Sequence, residues 1–153
     1  MASAIRMLIL AVFATAGLTA AAGTAESKPL VFQTDEGVAV LGYDPVAYHL
    51  AGKPIKGDPA YSAEYEGATW LFASAENRDR FLADPEAYAP AYGGWCAYGM
   101  AKGGKVPIDP AAWSVVDGTL YLNVNKKVRG WWEADMTDYI AQADANWPKV
   151  SQE

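Results

Sequence analysis

Short apolar runs, separated by glycine, proline and acidic residues, divide the chain after residue 25 into small elements. Two pairs of runs each surround a two-residue turn, and this pattern predicts two β-hairpins. The pairs are residues 61–65 and 68–72 about Glu66-Gly67, and residues 113–116 and 119–122 about Asp117-Gly118. Residues 30–32 and 38–41 predict two further short strands, the second of which ends at Gly42.

Helices are predicted where a capping residue precedes an apolar stretch. Asp44-Pro45 and Asp84-Pro85 each combine a capping carboxylate with a proline that suits the first helical turn. Ser74 caps the strongest predicted helix, whose apolar face is Phe81 and Leu82.

The chain is predicted to close with two helices, over residues 126–134 and residues 137–146, before Pro148. No internal repeat is evident. Short hairpins and short helices, without alternating βαβ units, indicate a small single domain of the α+β class. Its core should include Phe72, Phe81 and Tyr88.

The first 25 residues have the three parts of a secretory signal peptide. Arg6 provides a positive start, residues 7–18 form an apolar run, and small residues follow, with cleavage expected after Ala22 or Ala25. The run is shorter than the ~20 residues that a membrane-spanning helix needs. The sequence therefore predicts export, a periplasmic or secreted location, and no membrane span after the signal is removed.

Residues 26–153 should form one acidic domain. The chain has 12 Lys and Arg against 18 Asp and Glu, a net charge of −6, and six Trp and nine Tyr. This balance, without a dense basic cluster, argues against nucleic acid as a partner. Cys96 is the only cysteine, so no internal disulfide can form and stability must come from packing.

Several segments between residues 42 and 88 resemble the YHS domain family. They are Gly-Tyr-Asp-Pro-Val-Ala-Tyr at residues 42–48, the hairpin and Phe-x-Ser at residues 65–74, the helix at residues 76–81 and Asp-Pro-Glu-Ala-Tyr at residues 84–88. Residues 92–150 resemble the C-terminal extension of an exported YHS subgroup. Many YHS domains occur in metal-handling proteins such as copper pumps, so the resemblance implies soft-metal binding.

The cysteines that such relatives carry are replaced in this chain. The resemblance places them at Ala47, Ala73 and Asn77, none of which can bind a soft metal ion through sulfur. A metal site taken over residue by residue from those relatives is therefore not expected, and any bound metal must use other groups.

The remaining soft ligands are Cys96, Met100 and His49. A thiolate, a thioether and an imidazole suit Cu(I), and a helix over residues 95–101 would place the two sulfurs on one face. A methionine at such a spacing is more often a core residue than a ligand, and a single His on a short helix is commonly a surface or hydrogen-bonded residue.

Cys96 has two alternative interpretations. After Gly93-Gly94 it can lie in the first turn of a helix, where backbone donors would lower its pKa and the glycines would let a partner's backbone approach. It can also be an inert buried thiol.

Three functions therefore stay open. They are a non-enzymatic metal-handling module centred on Cys96 with copper as the possible ion, a thiol-dependent redox protein, and a non-catalytic domain that binds an extracytoplasmic protein partner. No complete catalytic constellation is evident, so an enzymatic role is not the favoured interpretation.

Overall fold

A computed structural model describes residues 28–153, so the predicted signal peptide lies outside the described residues. Six α-helices and four strands follow one another along this stretch. In order they are α1 (Pro45–Leu50), β1 (Asp58–Tyr65), β2 (Ala68–Phe72), α2 (Ala75–Ala83), α3 (Pro85–Tyr88), α4 (Ala97–Ala101), β3 (Asp109–Val116), β4 (Thr119–Asn123), α5 (Lys126–Ala134) and α6 (Met136–Val150). The strands form two separate antiparallel hairpins, and the α+β class is confirmed. Within residues 28–153, no helix has the length and apolar character needed to cross a membrane.

The order of elements occurs twice. Strands β1 and β2 and helix α2 have counterparts of equal length in β3, β4 and α5, and each counterpart begins 51 positions later. The pairing irregularity is repeated as well, between Asp58 and Ser62 in one hairpin and between Asp109 and Trp113 in the other. We call residues 40–88 the first unit and residues 91–139 the second unit.

The prediction that the chain lacks a repeat was therefore wrong. Eleven of the 51 residue pairs between residues 40–90 and 91–141 are identical, too few to be evident by inspection of the sequence. The identities mark positions where the backbone is constrained. They include Asp-Pro-Ala at the start of β1 and β3, the turn glycines Gly67 and Gly118, and Asp84 and Asp135, which precede α3 and α6.

Both hairpin turns were predicted correctly, and their backbone angles explain why. Glu66 and Gly67 have φ of 50° and 75°, and Asp117 and Gly118 have φ of 49° and 80°. Two consecutive positive φ angles are typical of the tight turns that match strand twist. Strand β1 begins at Asp58, earlier than the predicted residue 61, because the irregular pairing accommodates additional residues before Ser62.

The predicted helix caps are confirmed at three positions. The side chains of Asp44, Ser74 and Asp84 accept hydrogen bonds from backbone N–H groups in the first turns of α1, α2 and α3. On α2, Phe81 is fully buried, but Leu82 is 53% exposed, so the predicted apolar face is wrong for Leu82. Adjacent helical residues point about 100° apart, and one helix face cannot bury both.

Helix α6 does not end at residue 146 as predicted. It continues through Pro148 to Val150, and the N–H of Ser151 still donates to the Trp147 carbonyl at 2.8 Å. Proline removes one N–H donor near the end of the helix, and burial of Val150 against the core holds the last turn in place.

A single aromatic-rich core joins the two units. Tyr48 of the first unit is buried, donates its hydroxyl to the Pro110 carbonyl at 2.8 Å and packs on the Trp113 ring at 5.4 Å. Phe72 and Phe81 are fully buried, as predicted. Tyr88 is only partly buried at the edge of the core, so its predicted core position is wrong.

Residues 30–32 and 38–41 do not form the predicted strands. Gln33 and Ala39 make one isolated bridge, and Val40–Gly42 form a 3₁₀ turn in which Leu41 has φ of 57°. Positive φ angles recur in the corresponding 3₁₀ turn of the second unit, at Tyr92 and Gly93. The left-handed residue interrupts the extended backbone that a strand requires.

The glycine before Cys96 accommodates the chain itself. The N–H of Phe32 donates to the Gly93 carbonyl at 2.9 Å, and a Cβ on Gly93 would lie 2.2 Å from the Leu30 carbonyl oxygen. Only glycine permits this approach. The predicted approach of a partner's backbone at this position is therefore replaced by the protein's own N-terminal segment.

Candidate functional site

Asp44 is the centre of a hydrogen-bonded cluster at the start of α1 in the first unit. Its carboxylate is fully buried and accepts four hydrogen bonds. The donors are the N–H groups of Val46 at 2.8 Å, Ala47 at 3.3 Å and Ala73 at 2.8 Å, and the Asn77 side-chain amide at 2.7 Å.

Three of these four donors belong to the positions where the family resemblance expects cysteines. Ala47, Ala73 and Asn77 therefore converge in space, but around a carboxylate that they fully satisfy. Soft metal ions select thiolate and thioether ligands, and this arrangement offers neither. The donors around Asp44 therefore do not suit a soft metal ion.

Cys96 occupies the same structural role in the second unit that Asp44 has in the first. Each is the residue before a short helix, and each side chain accepts a hydrogen bond from the N–H three residues later. The Cys96 Sγ lies 3.4 Å from the N–H nitrogen of Gly99, and the backbone N–H groups of Val124 and Tyr98 also point toward the sulfur. Val124 is the counterpart of Ala73, 51 positions later.

The thiol of Cys96 is not activated in this environment. Burial raises its pKa above the ordinary value, and the N–H groups of Gly99, Val124 and Tyr98 offset only part of that increase. The thiol in turn donates to the Asn123 side-chain oxygen at 3.6 Å. The prediction that backbone donors of Gly93-Gly94 lower this pKa is therefore wrong, because the donors come from other residues and desolvation outweighs them.

Cys96 lies at the base of an apolar cleft of about 340 Å³. The cleft is bounded by α4, the turn after it, and the residues that follow β4. Its lining residues are Cys96, Tyr98, Gly99, Lys102, Gly103, Gly104, Val106, Val124 and Val128. Gly99 corresponds to Ala47 because each lies three residues after its capping residue, and Val124 and Val128 lie 51 positions after Ala73 and Asn77. The cleft therefore takes the place of the hydrogen-bonded Asp44 site.

Met100 lies within α4, a helix that begins two residues later than the predicted range of residues 95–101. Helix α4 starts at Ala97, so Cys96 is its cap, and the Met100 N–H donates to the Cys96 carbonyl at 2.8 Å. The Met100 side chain is fully buried in the core.

His49 belongs to the other unit. It lies on α1, five residues after the cap Asp44, and its ring packs edge-on against Tyr88 at 5.5 Å. Its Nε2 is buried without a hydrogen-bond partner, and burial lowers its pKa, partly offset by a hydrogen bond to the Tyr88 backbone. The contacts of His49 and those of Cys96 involve different residues. Within residues 28–153, no group of three or more His, Cys, Asp and Glu is placed to hold a metal ion.

Sequence reasoning missed Asn123. It is fully buried at the end of β4, its oxygen accepts from Cys96 and from the Tyr98 N–H at 3.1 Å, and its side-chain nitrogen has no partner. Its counterpart in the first unit is Phe72. A polar residue at a position that is apolar in the other unit is a signal that only alignment of the two units exposes.

Comparison with known protein families gives one match, and it covers most of the first unit. The family model of the YHS domain matches residues 46–92, which begin within α1 and end where the second unit begins. Searches against curated proteins and against solved structures each returned no match. The resemblance to the YHS domain that the sequence indicated is confirmed for residues 46–92.

Proposed function

We propose that the protein is an exported, non-enzymatic metal-handling module that binds one soft metal ion such as Cu(I) through Cys96. The YHS family is often linked to metal and copper handling. The observation that carries the proposal is that the Cys96 sulfur lines an open cleft. Gly99, Val124 and Val128, the counterparts of the three positions where the family's cysteines are expected, line the same cleft. The second unit thus offers a soft ligand where the first unit offers a satisfied carboxylate.

The proposed ligand set is Cys96 with Met100 and His49. Thiolate and thioether groups are the ligands that Cu(I) prefers. Met100 follows Cys96 by one helical turn, but it is fully buried and is not among the residues that line the cleft. His49 packs against Tyr88 in the first unit and is not among the residues that line the cleft.

A thiol-dependent redox function receives less support. Attack on a disulfide requires a thiolate, and burial raises the pKa of the Cys96 thiol. A metal ion can displace the thiol proton on binding, so the raised pKa weakens metal binding at low pH without preventing it. The apolar lining of the cleft favours a second candidate function, a non-catalytic binding domain, which can coexist with metal binding.

Anaerobic Cu(I) titration against a competing chelator tests the proposal. Wild type should bind one ion, Cys96→Ala should bind none, and Met100→Leu should bind at least tenfold more weakly. Met136→Leu is the matched control because Met136 lies outside the cleft, at the start of α6. His49→Gln tests the imidazole. If wild type binds no better than Cys96→Ala, the metal function is wrong.

Export is proposed from the signal peptide alone. Intact-mass measurement of protein recovered from outside the cytoplasm should show a mature chain that begins at Gly23 or Glu26. Retention of Met1 in membrane-associated protein would contradict both the cleavage and the periplasmic or secreted location.

A further inference from the structure

We propose that the cleft at Cys96 binds a small apolar carboxylate, such as a medium-chain acyl or an aryl carboxylate, independently of any metal ion. The acyl or aryl part would contact Val106, Val124 and Val128, and the carboxylate would pair with Lys102. The proposal rests on the size and lining of the cleft and on its charge, and it goes beyond the metal-handling function.

The lining of the cleft is suited to an apolar group. Three valines, the Tyr98 ring and the Cys96 sulfur form its walls, and its volume of about 340 Å³ lies within the range of small-molecule sites. The three valines are only partly buried, so a ligand would remove further apolar surface from water. In the first unit, the Asn77 amide lies at the position of Val128 and bonds to Asp44 instead.

Lys102 is the one charged residue among those that line the cleft. It is exposed, and its Nζ lies 5.4 Å from the centre of the Tyr98 ring and 4.9 Å from that of the Tyr139 ring. In the described part of the chain, no carboxylate lies within ion-pair distance of it. A cation that is held by aromatic rings and lacks a counter-ion is a complementary partner for a ligand carboxylate.

A second lysine extends the positive charge beside the cleft. Lys127 lies 5.2 Å from the Trp131 ring, which is half exposed and packs 6.2 Å from Tyr98. The chain as a whole carries a net charge of −6. This side of the second unit therefore combines apolar surface with positive charge in an otherwise acidic protein, and it selects an anion over a cation.

Calorimetric titration of metal-free protein, in the presence of a chelator, tests the proposal with octanoate, decanoate, decanol and decyltrimethylammonium. Decanoate should bind about tenfold or more tightly than decanol, and the cation should bind most weakly. Each added methylene should lower Kd by about fourfold until the cleft is filled, since burial of one methylene contributes about 0.8 kcal/mol. Bound decanoate should also slow alkylation of Cys96 by iodoacetamide.

Two substitutions separate the charge from the apolar contact. Lys102→Met should reduce the preference for decanoate over decanol to about onefold, and Val128→Asn, which introduces the first unit's residue, should weaken both ligands. Lys53→Met and Val115→Asn are the matched controls, an exposed lysine of the first unit and an exposed valine of β3. Circular dichroism should show the native fold in every variant.

Binding of decanoate no tighter than decanol, or an unchanged preference in Lys102→Met, would overturn the proposal. Absence of binding by wild type at millimolar decanoate would do the same. Neither result depends on Cu(I), so failure here is distinguishable from failure of the metal-handling function.

Discussion

The two units share a backbone plan but differ in what holds the start of their first helix. Asp44 in the first unit is a buried carboxylate with four hydrogen-bond donors, and it ties α1 to the end of β2 and to α2. Cys96 in the second unit receives weaker hydrogen bonds and leaves a cleft beside it. The Asp44 site thus contributes more hydrogen bonding to the stability of the fold, whereas the Cys96 site has weaker hydrogen bonds, an open cleft and a soft side chain.

The largest expected difference between the units is the cost of removing these two capping side chains. Asp44→Ala leaves four buried donors without an acceptor and should reduce the free energy of unfolding by about 3–5 kcal/mol. Cys96→Ala should cost only about 1–2 kcal/mol, because sulfur is a weak acceptor. Urea unfolding measures both values. Equal losses of unfolding free energy would show that the Asp44 and Cys96 side chains contribute equally to stability, which would contradict the contrast between the two sites.

Core substitutions in the two units should reduce the free energy of unfolding by different amounts. Phe81 and its counterpart Trp132 are both fully buried. Phe81→Ala should cost about 3–5 kcal/mol. Trp132→Phe introduces the first unit's residue type and removes a ring nitrogen that lacks a partner, so it should cost less than about 2 kcal/mol. A loss below about 1 kcal/mol for Phe81→Ala in denaturant unfolding would contradict its place in the core.

Local sequence signals predicted the hairpins and helix starts because their physical cause is local. Glu66-Gly67 and Asp117-Gly118 adopt the positive φ angles that their turns require, and Ser74 caps the helix that it precedes. The segments whose structure was predicted wrongly depend on contacts with residues that are distant in sequence. Residues 30–32 are shaped by Gly93, which lies some 60 positions away, and no local pattern indicates that contact.

The sequence identified Cys96 as the central residue of the candidate site, but it did not predict the groups that surround the thiol. Cys96 stands out as the only thiol, but its pKa depends on burial and on Val124 and Asn123, which the fold supplies from the second hairpin. Met100 and His49 belong to two different units, which the sequence shows only after the two units are aligned. The divergence of the other residue pairs concealed the repeat, and with it the separation of His49 from Cys96.

The pH dependence of Cu(I) binding sharpens the contrast at the capping positions. Binding requires the thiolate, and burial keeps the Cys96 thiol protonated at neutral pH. One proton should therefore be released, and the apparent affinity should rise about tenfold per pH unit below the thiol pKa. Chelator competition at pH 6.5, 7.5 and 8.5 measures the slope, corrected for the chelator's own protonation. Met100→Leu should weaken binding with the slope unchanged, and a flat profile in wild type would exclude the thiolate as ligand.

The smallest expected effect concerns His49, on the first helix of the first unit. Burial lowers the pKa of His49 below 6.5, so the unfolded chain binds the proton more readily than the folded protein. The stability associated with neutral His49 is complete above pH 6.5 and is lost as the pH falls through the interval between the unfolded and folded pKa values. Wild type should therefore lose more unfolding free energy between pH 7.5 and pH 5.5 than His49→Met, whose side chain does not titrate. Urea unfolding at the two pH values makes the comparison, and His49→Gln controls for the loss of the ring. If all three proteins lose the same amount, other groups cause the pH dependence and the buried Nε2 of His49 is protonated at no cost to the fold.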